Sequence, residues 1–153
     1  MAVTLNASTT TGLEIASDTS GIVTLRNNGT DALSVNSGNL QFNSGYGSVA
    51  TAYGCRAWVN FNGTGTVAIR ASGNVSSITD NGTGNYTINF TNALPDANYT
   101  TVEGQKTGMG SPGAISNQVG FNTYSTTSVK VTCENSGNGV YTDLDYLTVA
   151  IFR

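Results

Sequence analysis

The chain has 153 residues, no histidine, only 10% charged residues and a net charge of −3. This length fits one domain, or one with a small appendage. The six scattered basic residues exclude a nucleic-acid face, which needs clustered cations, and the missing histidine excludes Ser-His-Asp and Cys-His catalysis and His-based metal sites.

The opening MAVTLNASTT lacks the charged and apolar regions of a secretory leader, so no Sec export is predicted. No apolar run approaches the length of a membrane span, and no membrane insertion is expected. Residues 1–45 carry short apolar clusters: Val3/Leu5, Leu13/Ile15, Ile22/Val23/Leu25, Leu33/Val35 and Leu40/Phe42. Turn formers separate them, and each cluster alternates apolar with polar as a half-buried strand does. Strands this short bury too little to stand alone. Residues 1–45 are therefore predicted to form an intertwined β stem in which copies from several chains wrap round one axis. The plainer alternative is a meander packed on the C-terminal domain. Residues 46–54, within the Gly/Ser-rich run NSGYGSVATAYGCR, form a joint.

Residues 55–153 read as an all-β head domain, a sandwich of jelly-roll type. Strands are predicted over Ala57–Phe61, Thr66–Ala71, Val75–Asp80 and Asn85–Thr91, then near Tyr99–Gly104, Gln118–Thr123, Ser128–Glu134 and Asp143–Phe152. The last is apolar on both faces, with Leu147, Val149 and Ile151 opposite Tyr146 and Phe152, so a central position is expected. The tetrapeptide NGTG occurs at Asn62–Gly65 and again at Asn81–Gly84. Asn-Gly tolerates positive φ and is a strong hairpin signal, so both are read as turns in a meander of four consecutive strands. No helix or lysine follows either one, as a phosphate loop requires. An EF-hand is excluded because the twelfth position from Asp80 is Thr91 rather than glutamate. Cys55 and Cys133 match no metal spacing, and without a secretory leader both are expected to be buried thiols rather than a disulfide.

Carboxylates remain as possible catalysts. Asp143 and Asp145, two apart on a predicted strand, would share a face about 7 Å apart, near the spacing of glycosidase pairs. A paired-acid solvated face explains them better, so neither a catalytic nor a metal site is predicted, and no cofactor. For binding, the loops supply Lys106 and Met109 in Gly104–Asn117, Tyr124 in Phe121–Ser128 and Tyr141 in Glu134–Asp143. Aromatic rings beside amides and hydroxyls can hold a sugar, and these four are the candidate host-surface contacts. Trp58, alternating within a strand, is expected in the core or an interface rather than as a ligand platform.

The stretch CRAWVNFNGTGTVAIRASGNVSSITDNGTGNYTINFTNALPDANY, Cys55 to Tyr99, resembles a segment of the tail-fibre and virion structural proteins of tailed bacteriophages, especially marine and cyanobacterial phages. The resemblance implies a homotrimeric β-structured fibre or knob on the virion, assembled in the bacterial cytoplasm and without enzymatic activity. Its partners would be other copies of itself, a tail or baseplate adaptor or the major capsid protein, and a host surface glycan. A capsid decoration or head-fibre protein is the second reading, and a glycan depolymerase a remote third.

Overall fold

A computed structural model describes residues 21–43, 49–105 and 117–153. Every regular element among them is a β-strand, and every strand pairing is antiparallel. The clusters Val3/Leu5 and Leu13/Ile15 lie outside the described residues. The chain divides into two compact units, Met1–Ala52 and Tyr53–Arg153.

In the first unit, β1 (Ile22–Asn27), β2 (Thr30–Asn36), β3 (Asn39–Phe42) and β4 (Ala50–Thr51) form one sheet in that order. Two-residue turns join the first three. Asn28 and Gly29 have φ of 50° and 77°, and Ser37 and Gly38 have 49° and 77°. Positive φ at both central residues is the type I′ signature, whose twist matches that of the flanking strands. The two turns pair β1, β2 and β3 within one chain. Ala50–Thr51, inside the expected joint, pairs with β3 as well.

Register decides what this sheet shows on each side. Val23 lies opposite Val35, and Val35 opposite Leu40; Leu25 lies opposite Leu33, and Leu33 opposite Phe42. Directly paired residues share a face, so these six apolar side chains form one surface. The other face carries Thr24, Ser34 and Gln41, with Ser34 Oγ donating to Gln41 Oε1.

The second unit holds β5 (Cys55–Asn62), β6 (Ala68–Gly73), β7 (Val75–Asp80), β8 (Asn85–Phe90), β9 (Thr100–Gln105), β10 (Asn117–Asn122), β11 (Ser128–Asn135), β12 (Val140–Tyr141) and β13 (Leu147–Phe152). One sheet runs β6-β5-β13-β9 and the other β10-β11-β8-β7, with β12 against β11. Their alternating residues meet in a common core: Ala57, Val59, Phe61, Leu147, Val149 and Ile151 from the first, Tyr86, Ile88, Phe90, Val129, Val131 and Cys133 from the second. Phe61 meets Tyr86 edge-on with ring centres 5.3 Å apart, a favoured aromatic geometry. As expected, β13 is an interior strand.

Two sequence expectations need correction. The four consecutive strands are not one meander, because β5 and β6 lie in one sheet and β7 and β8 in the other. Asn74, at φ 56°, turns the chain between them. Its amide nitrogen donates to the carbonyls of Arg56 and Asn92, and its amide oxygen accepts from Asn92 N. The last strand begins at Leu147 rather than Asp143, because residues 143 and 144 are drawn into the interior.

That interior point joins the two NGTG loops. The hydroxyl of the fully buried Tyr86 lies 2.6 Å from Asp143 Oδ1 and 2.9 Å from the Gly63 carbonyl in the first loop. Gly84 N in the second loop donates to the same Asp143 oxygen at 2.7 Å. Gly63 N donates to Leu144 O, and Cys133 N to Gly84 O. A Cβ on Gly84 would lie 2.5 Å from Cys133 O, and one on Gly63 2.5 Å from the Tyr86 hydroxyl. Glycine is required at both places because of this close approach. Tyr86→Phe leaves a partly buried carboxylate short of a donor and should cost about 1–3 kcal/mol in urea unfolding; Gly84→Ala, which must also displace backbone, should cost more. A Tyr86→Phe protein as stable as the parent would contradict this account of the loops.

Candidate functional site

The second unit has two outer surfaces of different character. On the β7–β8 side the polar side chains satisfy one another. Asn89 Nδ2 donates to Ser77 Oγ and Thr79 Oγ1, and Asn81 Nδ2 donates to Thr87 Oγ1. Groups already paired with each other have little left to offer a ligand.

The outer face of β6-β5-β13-β9 is different. Because Ala57, Val59 and Phe61 point inward, strand alternation sends Trp58 and Asn60 outward. Trp58 is 44% exposed, so of the core or interface position expected from sequence, the core is excluded. It heads a row across the sheet, Gly73–Trp58–Ala150–Val102, and beside it runs Ala71–Asn60–Thr148–Gly104. The indole lies over Gly73, where a Cβ would fall 2.4 Å from its Nε1. Thr148 Oγ1 leans over Gly104 and donates to its carbonyl at 3.0 Å.

Tyr146, just before β13, closes one end. Its hydroxyl accepts from Asn60 Nδ2 at 2.8 Å, and the Arg70 guanidinium sits 5.2 Å over its ring, a cation–π distance. Arg70 also donates to the Asp145 carbonyl. Two hollows meet on this face. One, of about 280 Å³, is lined by Trp58, Asn60, Val102, Gly104, Thr148 and Ala150, among others. The other, of about 430 Å³, is lined by Gly104, Gln105, Tyr146 and Thr148. Together they form a shallow groove with aromatic walls, a floor of small residues and a few fixed polar groups. The oxygen of the Asn60 amide is buried there with no hydrogen-bond partner among the described residues.

The residues singled out from sequence scatter. Lys106 and Met109 lie outside the described residues. Tyr124 packs on Tyr99 with centroids 5.2 Å apart, and its hydroxyl meets Thr101 Oγ1. Tyr141 sits on β12 opposite Glu134, in the other sheet. No contact among the described residues joins these tyrosines. Asp143 faces the Tyr86 hydroxyl, and it shares no strand with Asp145, so the geometry inferred for a carboxylate pair is absent. Trp58, Asn60 and Tyr146 were missed as a group, although the inward parity of Ala57, Val59 and Phe61 identifies the first two.

No family model and no curated protein matches the chain. Among solved structures, the chain is similar to the phiAB6 tailspike, solved in complex with three-repeated oligosaccharides of Acinetobacter baumannii surface polysaccharide. It shares a fold with part of a phage tailspike. The TM-score is 0.51 at 15% identity, over 99% of this chain and 30% of the tailspike chain. The likeness is one of fold, and this chain spans less than a third of that protein's length.

The cysteines also separate. Both are free thiols, but Cys55 is exposed where a buried thiol was expected, since it stands at the start of β5 with the inward parity beginning at Ala57. Cys133 is buried, and burial first, then the charges of Asp143 and Glu103, pushes its thiol up to about 12. At pH 8, Ellman's reagent should therefore modify one thiol per native chain rapidly and the second only on unfolding. Two rapid equivalents would contradict this packing.

Proposed function

We propose that the chain is a virion protein of a tailed bacteriophage, a tail-fibre-type subunit that helps hold the particle to its host surface. The observation that carries this reading is the likeness of fold, over nearly the whole chain, to a tailspike solved with a bacterial surface oligosaccharide. The Cys55–Tyr99 segment, which resembles fibre proteins of marine and cyanobacterial phages, points the same way. In this reading residues 1–45 form the stem, the second unit is a β-sandwich head, and the subunit assembles in the host cytoplasm before joining a tail or baseplate adaptor. In this reading the head binds rather than cuts, and Asp143, the acid paired with Asp145 in the sequence reading, is committed to Tyr86 and Gly84.

Assembly as a homotrimer is supported by the first unit. Its six-residue apolar face is open in the single chain, with Leu25 55% and Phe42 42% exposed. A two-faced sheet is stable only when its apolar side is covered, and packing of equivalent faces about one axis covers it in every copy. Native mass spectrometry should find three 15.8 kDa chains together. Leu25→Asp with Phe42→Asp should release monomers whose second unit stays folded. A wild-type monomer would rule out the stem, and a label found on the capsid instead of the tail would rule out the fibre.

A further inference from the structure

The outer groove of the second unit is preorganised in a way that packing alone does not require. Trp58 is held over Gly73, and Tyr146 is fixed by Asn60 on its hydroxyl and by Arg70 on its face. Ordering these side chains in advance removes a cost that binding would otherwise bear. The floor between them is built of Ala150, Gly104 and Thr148, which admit a ligand close to the sheet. The Tyr146 hydroxyl, which accepts from Asn60 Nδ2, keeps its own proton to donate, and Thr148 Oγ1, which donates to Gly104 O, can still accept.

We propose that this groove, across β5, β13 and β9, is a binding site for an oligosaccharide, with Trp58 and Tyr146 as stacking walls, Thr148 and the Tyr146 hydroxyl as its hydrogen-bonding groups, and Asn60 as the residue that positions Tyr146. A sugar ring offers what these walls lack: an apolar face for an aromatic ring, and hydroxyls that donate as well as accept. Trp58 lies opposite Ala150, four residues beyond Tyr146. At about 3.4 Å per residue their backbone positions stand roughly 14 Å apart along the sheet, a length that two or more sugars fill better than one. Arg70 stands at the Tyr146 end, so an acidic sugar fits there and a neutral one along the rest. A second copy of the chain is a poorer occupant, since it would close the two hollows under protein instead of filling them with hydroxyls. The proposal rests on the host-attachment reading and names the ligand class and site that serve it.

Trp58 is the sole tryptophan, so the emission of the full-length chain reports on this groove alone. Acrylamide should quench it readily. Oligosaccharides of three to six sugars, drawn from a panel of maltohexaose, chitohexaose, alginate fragments and lipopolysaccharide O-antigen fragments, should shield it saturably in at least one case, and single sugars should not. Tyr146→Ala and Thr148→Val should each weaken that shielding about tenfold or more, with far-UV circular dichroism unchanged; Asn60→Ser serves where either fails to fold. Trp58 closed to acrylamide in the assembled protein would overturn the proposal in favour of contact between copies. Open but unshielded by the whole panel, or shielded equally in the variants, would overturn it too. Attachment is read separately, from binding of the chain to host cells: binding with a silent Trp58 sinks the groove alone, and no binding sinks the attachment reading.

Discussion

One buried hydroxyl governs the second unit. Tyr86 fills the interior beside Phe61, and a phenol placed there without water needs a partner for its O–H. Burial, reinforced by Asp143, raises its pKa, so it remains a donor at any physiological pH. Asp143 takes that donor at 2.6 Å, and meeting it requires residues 143 and 144 to leave the strand path. The final strand consequently starts at Leu147. Tyr146, on the last residue before it, is then positioned on the outer face, where Asn60 and Arg70 hold it. An interior requirement thus shapes an exterior wall.

The same point explains the repeated NGTG. One loop joins β5 to β6 in one sheet and the other joins β7 to β8 in the second, and what ties them is that each offers backbone to the Tyr86–Asp143 pair: Gly63 O and Gly84 N. Side chains at either glycine would occupy the space through which the loops approach. The repeat is a structural device for closing one end of the core, and the ligand chemistry that Gly-rich loops can perform is absent from it.

Much of this was legible in the sequence, for a definite reason. Period-two alternation located β5, β7, β8 and β11 to within about two residues, because one buried face fixes parity along a strand. The Asn-Gly and Ser-Gly turns were equally plain, since few residues accept positive φ. What alternation cannot show is which sheet a strand joins. The β6–β7 crossing depends on Asn74 bonding to Arg56 and Asn92, far along the chain in one direction and then the other. The withdrawal of Asp143 from its strand was hidden likewise, for its partners Gly84 and Tyr86 lie 59 and 57 residues away. The site suffered most. Loop tyrosines drew notice because loops often carry function, whereas the groove is assembled from single residues of three strands and the turn before one of them.

The two uncovered surfaces make physical sense together. A shallow groove that contacts a few sugars gains little from each ring and hydroxyl, and a solitary copy would release its ligand quickly. In the proposed trimer, copies joined through the apolar face of the first unit would make later contacts intramolecular, and effective concentration would then raise avidity by orders of magnitude without any new contact. The chain's sparse charge fits the same division of labour. Strong ionic contacts would bind many surfaces indiscriminately and weaken with salt, whereas stacked rings and oriented amides discriminate by shape and are nearly indifferent to ionic strength. Specificity can therefore reside in a weak groove, provided that holding strength resides in the assembly.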